Sequence, residues 1–134
     1  MEHDEGRNMK DVIFRGDSGR LHRFTVHRPD ADFPETAAVY AFARPVPGAS
    51  AWAPVFLSRT ANLSKRLAGH ERWAEAQSLG ATHVLVHQRA IRDVREFVEA
   101  DLLASMRPVM NAEIIDAEPM EVETPKGPRL VWAA

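Results

Sequence analysis

The stretch 54-PVFLSRTANLSKRLAGH-70 decides the fold, because a strand and a basic helix meet within it. The run 54–58 is short and apolar, which predicts a strand. Thr60 can accept hydrogen bonds from the free N–H groups of a first helical turn, and Leu63 and Leu67 have the i, i+4 spacing of a buried stripe. The strand end and the helix together carry four basic or titratable residues: Arg59, Lys65, Arg66 and His70.

The residues before this junction predict three more strands. Segments 11–16 and 20–27 are rich in Val, Ile, Phe and Thr, and they flank the turn-forming sequence Asp17-Ser18-Gly19, a pattern typical of a β-hairpin. Segment 37–44 is apolar without strict alternation, which favours a central strand covered on both faces. Tyr40 lies in the middle of that strand.

The residues after the junction predict a short helix over 71–79 that stops at Gly80, and a strand over 82–88. A long helix over 90–107 must end before Pro108, because proline disfavours helical geometry in the preceding residue. Four apolar residues have the spacing of its inward stripe: Ile91, Val94, Val98 and Leu102.

This order of elements predicts an α+β fold, with a small central β-sheet flanked by helices and an added N-terminal hairpin. The chain has 134 residues, enough for one domain but not for two independent cores. We expect a flexible N-terminus over 1–10, a single domain over 11–111 and an acidic extension over 112–134. A last strand over 129–133 is possible within that extension.

Composition excludes several classes of protein. The chain has no cysteine, so neither disulfides nor thiolate metal sites contribute. No apolar run approaches the roughly 20 residues that cross a bilayer, and residues 1–10 lack the apolar part of a signal peptide. We therefore expect a soluble, cytoplasmic protein with no membrane partner.

Charge is unevenly distributed along the chain, although the net charge is only −2. Residues 44–72 contain five bases and one acid, whereas residues 112–124 contain five acids and no base. One interpretation is a basic face for a polyanion, and the other is a pair of ordinary solvated surfaces.

Three residues attract attention as a possible site. Arg66 and His70 are four apart, so a helix would place them on one face and let both reach one ligand. Glu99 lies beside the apolar stripe of the long helix, where its carboxylate would be partly desolvated. Taken singly, each has a structural explanation: a solvated arginine, a histidine cap at a helix C-terminus, and an i, i+4 partner of Arg95.

Taken together, these residues form a longer series. It comprises Ala38-Val39-Tyr40, Phe56-Leu57-Ser58, Arg66, His70, Glu99, Pro108 and Asn111. Over about residues 37–111 this series resembles the GIY-YIG nuclease superfamily. In that family a Gly-Ile-Tyr-like strand precedes a Tyr-Ile-Gly-like strand, a helix with an essential arginine, and a later helix with a metal-binding glutamate. The spacing makes the resemblance specific, since Arg66 lies ten residues after Phe56 and Asn111 lies twelve after Glu99.

The resemblance implies a divalent-metal-dependent endonuclease that acts on DNA or structured nucleic acid. Tyr40 would position or deprotonate water, and Arg66 would bind the phosphate. His70 would assist proton movement or bind phosphate, and Glu99 would hold Mg²⁺ or Mn²⁺. We therefore expect Tyr40, Arg66, His70 and Glu99 to line one concave surface. Phosphate binding or support of the site would come from three further residues: Arg59, Lys65 and Asn111.

The sequence also departs from the family pattern. Phe56 replaces the second tyrosine and so removes a hydroxyl, Ser58 replaces a glycine, and Ala38 replaces the first glycine. The alternative is therefore a catalytically degenerate module of the same fold that binds nucleic acid or a protein partner.

Overall fold

The fold is given by a computed structural model, which describes residues 11–111. The strands are β1 (Val12–Arg15), β2 (Leu21–His27), β3 (Ala38–Pro45), β4 (Trp52–Thr60) and β5 (His83–Gln88). The helices are α1 (Leu63–Leu67), α2 (Trp73–Ser78) and α3 (Arg92–Met106). The predicted segments 1–10 and 112–134, and the possible strand over 129–133, lie outside these residues.

The five strands form one antiparallel sheet in the order β1-β2-β5-β3-β4. The mixed α and β class and the N-terminal hairpin are confirmed. Strand β3 lies between β5 and β4, and residues 38–43 are buried on both faces of the sheet, as the sequence predicts. Strand β4 is one edge of the sheet, and it extends beyond the predicted 54–58 at both ends.

Helices cover both faces of the sheet, and each face has its own apolar core. Under α1 and α2 lie Ala38, Tyr40, Phe42, Val55, Phe56, Leu63, Ala76, Ala81, Val84, Val86 and Met110. Under α3 lie Phe24, Val26, Val39, Ala41, Ala43, Leu57, Leu85, Val98 and Leu102. Neighbouring side chains of a strand point to opposite faces, so Tyr40 and Val39 belong to different cores.

The start of α1 differs from the predicted cap. Asn62, not Thr60, is the N-cap, and its side-chain oxygen accepts from the backbone N–H of Lys65 at 3.1 Å. Thr60 ends β4, and its hydroxyl accepts from the backbone N–H of Asn62 at 3.1 Å. Thr60 therefore shapes the turn into the helix rather than capping it.

The inward stripe of α3 is half wrong. Val98 and Leu102 are buried, but Ile91 is 64% exposed and Val94 is 36% exposed. Ile91 has an extended backbone as the N-cap, so it lies outside the helical repeat. Polar residues take part of the inward face, because Arg95 and Asp101 are buried. Within residues 11–111, no helix has the length and apolar character to cross a membrane.

Candidate functional site

Tyr40 and His70 form a buried pair on the face covered by α1 and α2. Tyr40 is fully buried, and its hydroxyl oxygen lies 2.9 Å from His70 Nε2. His70 Nδ1 accepts from the backbone N–H of Arg72 at 3.1 Å. A neutral imidazole that accepts at Nδ1 carries its hydrogen on Nε2, so His70 donates to the tyrosine oxygen.

The chain brings His70 to Tyr40 by a turn and not by a helix. Helix α1 ends at Leu67, Ala68 is extended, and Gly69 has φ +62°, a left-handed conformation that glycine adopts without strain. The expectation that one helix face carries Arg66 and His70 is therefore wrong, although both residues lie beside Tyr40.

Arg66 is held by a neighbouring carboxylate. Its Nη1 and Nη2 donate to the two oxygens of Glu71 at 2.9 and 2.8 Å, a bidentate pair. This planar fork of donors also has the geometry that suits a phosphate, but here both donors are engaged by Glu71. The hydrogen bond from Arg66 lowers the pKa of Glu71 to about 2. Glu71 therefore stays ionised across the physiological range.

Burial keeps both members of the Tyr40–His70 pair neutral. It raises the pKa of Tyr40, and the charge of Arg66 with hydrogen bonds from Arg66 and Ser58 opposes that rise. Burial, reinforced by the positive charge of Arg66, lowers the pKa of His70 to about 4. At neutral pH this face of the site therefore presents a guanidinium beside an uncharged tyrosine and an uncharged imidazole.

Glu99 pairs with Arg59 on the opposite face. Glu99 Oε1 lies 2.5 Å from Arg59 Nη1, and Glu96 Oε2 lies 3.6 Å from Arg59 Nη2. Burial raises the pKa of Glu99, and Arg59 opposes the rise. Arg95 is not its partner, because Arg95 Nη1 donates to the backbone carbonyls of residues 89 and 90 at 3.0 and 2.9 Å. The predicted position of Glu99 at the rim of the core is confirmed.

The structure does not place all four predicted residues on one surface. Tyr40, Arg66 and His70 lie together, whereas Glu99 lies on the α3 face with Arg59. In the register of the sheet, Ser58 pairs with Tyr40 and Arg59 pairs with residue 39. The two groups thus lie on opposite faces of the sheet, where they contact Ser58 and Arg59, two adjacent residues of β4.

Asn111 braces this edge strand. Its side chain accepts from the backbone N–H of Leu57 at 2.8 Å and donates to the Leu57 carbonyl at 2.8 Å. These bonds fix the segment after α3 against the free edge of β4. Lys65 is exposed in α1, and its ammonium group makes no hydrogen bond or ion pair with the rest of residues 11–111.

Three participants were missed by the sequence analysis: Ser58, Glu71 and Glu96. Ser58 was noted only as a replacement for glycine, although strand alternation places it on the face of Tyr40. Glu71 was the single acid among five bases, which was the available signal. Glu96 precedes Glu99 by three residues, and this spacing puts two carboxylates on one side of a helix.

The oxygen donors beside Arg59 suit a hard divalent cation. Mg²⁺ is commonly held by one or two carboxylates, with water and substrate phosphates as the other ligands. Glu99 and Glu96 supply this donor type. A site made by the protein alone is absent among residues 11–111, where no three His, Cys, Asp or Glu side chains are grouped to hold a metal ion.

Comparisons with protein-family models, with curated proteins and with solved structures find no match to the chain.

Proposed function

We propose that this protein is a GIY-YIG-like, metal-dependent nuclease that hydrolyses phosphodiester bonds of DNA or structured nucleic acid at the edge strand β4. One observation carries the proposal. Tyr40 contacts Ser58 on one side of that strand, and Glu99 contacts the next residue, Arg59, on the other side.

Phosphate binding belongs to the Arg66 side. The guanidinium presents a fork of donors that matches two phosphate oxygens, and exposed Lys65 adds a second cation nearby in sequence. A phosphate must displace Glu71 from Arg66 before it can bind there. Because the Arg66–Glu71 pair is exposed, its disruption costs little.

Metal binding belongs to the Glu99 side. Glu99 is the proposed ligand, and Glu96 lies one helical turn before it. A divalent cation bound there would neutralise phosphoryl charge and lower the pKa of a bound water. Arg59 neutralises Glu99 in the resting protein, so it must turn from the carboxylate toward the phosphate when the substrate arrives.

Tyr40 and His70 are proposed to orient hydrogen bonds in the site and not to act as a general base at neutral pH. The raised pKa of Tyr40 disfavours its phenolate, and both nitrogens of His70 are engaged. Their hydrogen bond fixes the tyrosine oxygen beside Arg66 and Ser58. The pH dependence of cleavage near neutrality should therefore not report the loss of a proton from Tyr40.

A second candidate is a non-catalytic module that binds nucleic acid or a protein partner. The pairing of the charged groups favours it, because Arg66 is already held by Glu71 and Glu99 by Arg59, and Tyr40 is fully buried. In that case the same residues stabilise the fold, and Arg59, Lys65 and Arg66 form a weak basic surface.

Cleavage of supercoiled, branched and single-stranded DNA in Mn²⁺, compared with EDTA, tests the proposal. We expect Glu99→Gln and Arg66→Ala to reduce cleavage to background, and Phe56→Tyr to raise it by restoring a hydroxyl. Glu75→Gln is the matched control, since it neutralises an exposed carboxylate on α2. Cleavage that survives Glu99→Gln contradicts the site, and no cleavage by wild type or Phe56→Tyr favours the non-catalytic module.

A further inference from the structure

A cavity of about 320 Å³ opens on the α3 face, beside the N-terminal hairpin. Its apolar wall is formed by Leu21, Val94, Phe97 and Val98. Its polar groups are Arg20, His22 and Arg89. Cavities that hold small molecules are mostly apolar with a few converging polar groups, and they start at roughly 300 Å³. The cavity therefore has the size and lining of a small-molecule site.

A buried carboxylate orients the histidine of this cavity. His22 Nε2 lies 2.9 Å from Asp101 Oδ2, and both side chains are buried. Ser18 donates its N–H to Oδ1 at 2.7 Å and its hydroxyl to Oδ2 at 2.8 Å. An ionised carboxylate only accepts, so His22 carries its hydrogen on Nε2. Gly16 makes room for the carboxylate, because a Cβ there would lie 1.8 Å from Oδ2.

The ring of His22 also packs against other rings beside this cavity. Its centroid lies 6.4 Å from that of Phe97 and 5.9 Å from that of His87, and both contacts are edge to face. Because Asp101 and these rings fix the imidazole, the cavity has a rigid aromatic wall beside its arginines.

The two arginines of the cavity are also available to a ligand. Neither Arg20 nor Arg89 has an acidic partner in the described part of the chain, and both are exposed. The Arg20 guanidinium lies 5.8 Å from the ring centroid of Phe97, which is 45% exposed. Two guanidinium groups beside an open aromatic ring suit an anion that carries an apolar group.

We propose that this cavity binds a small organic anion, a carboxylate or a phosphate ester, whose charged group lies between Arg20 and Arg89. The apolar part of the ligand packs on Phe97, beside the fixed imidazole of His22. The site is independent of the proposed nuclease site, because it uses none of its residues and lies at the opposite side of α3 from Glu99.

An NMR titration with phenyl phosphate, benzoate and inorganic phosphate tests the proposal. We follow the imidazole nitrogens of His22 and the backbone amides of Leu21 and Phe97. Saturable shifts are expected with the two aromatic anions, and the tighter of the two identifies the charged group that the site prefers. Benzyl alcohol lacks the charge, so it should need an at least tenfold higher concentration to reach half of its maximal shift.

Variants separate a ligand site from a merely structural His22–Asp101 pair. Replacement of both Arg20 and Arg89 by Gln should weaken phenyl phosphate binding about tenfold or more. Arg23→Gln is the control, since Arg23 is an exposed arginine of the adjoining strand β2 that does not line the cavity. Phe97→Ala should weaken phenyl phosphate more than inorganic phosphate. Absence of saturable shifts with every anion, or undiminished binding by the double variant, would overturn the proposal.

Discussion

The two faces of the sheet hold their buried polar groups in different charge states. Under α1 and α2, burial keeps Tyr40 and His70 neutral, with the pKa of one raised and that of the other lowered. Under α3, Asp101 is buried as a carboxylate that accepts from His22 and Ser18, and these bonds outweigh desolvation to lower its pKa. Burial alone therefore does not decide the charge of a buried group, because similar sets of donors keep an acidic carboxyl ionised but leave a weakly acidic phenol neutral.

The largest effect on the free energy of unfolding is expected from replacing the ionised, buried Asp101. Asp101→Ala leaves His22 and Ser18 without their acceptor and removes a side-chain link between the hairpin and α3, so stability should fall by about 2–4 kcal/mol. Asp93→Ala on the exposed side of α3 is the control, with a change under about 0.5 kcal/mol. Urea denaturation measures both. Equal losses would show that Asp101 is not held by these donors.

The next effect is on the pH dependence of stability, and it comes from the neutral, buried His70. The pKa of His70 is lowered from 6.5 to about 4 in the folded protein, so the unfolded chain binds a proton more readily. The contribution of His70 is therefore complete above pH 6.5 and is lost as the pH falls to about 4. By linkage it amounts to about 1–3 kcal/mol. His70→Gln should flatten stability over this pH range, and an unchanged slope would contradict the assignment.

A smaller effect, on DNA affinity, is expected from breaking the exposed ion pair between Arg66 and Glu71. Glu71→Gln frees the Arg66 guanidinium, so affinity for a DNA duplex should rise about two- to fivefold at low salt. The gain should shrink as salt increases, because both contacts are electrostatic. Asp93→Asn, which removes the same charge from α3 and breaks no ion pair among residues 11–111, is the control in a fluorescence titration. An equal rise in both variants would mean that net charge alone is responsible.

The local elements were predictable because local patterns specify them. The hairpin followed from Asp17-Ser18-Gly19 between two β-rich runs, and the central strand from the unbroken apolar run around Tyr40. Glu99 was correctly placed at the rim of the core, because its position beside Val98 is a property of the helix itself.

The face of the sheet that each helix covers was not predictable. Spacing along the chain does not say which face of the sheet α3 covers. The expectation that Glu99 lies on one surface with Tyr40 came from the family resemblance alone. The His22–Asp101 pair joins residues 79 apart in sequence, and no local signal links them. Ile91 and Val94 have the period of an inward stripe but are not buried. Ile91 is the N-cap of α3, and Val94 lines the open cavity.

Paramagnetic broadening by Mn²⁺ tests most directly whether the two faces serve one site at the edge of β4. In a complex with a short DNA duplex, we expect Mn²⁺ to broaden the amides of Glu99, Arg59 and Ser58 first, and then that of Arg66. Glu99→Gln should abolish this broadening, while Asp93→Asn should not. Broadening confined to exposed carboxylates elsewhere, or unaffected by Glu99→Gln, would contradict a shared metal and phosphate site across the edge strand.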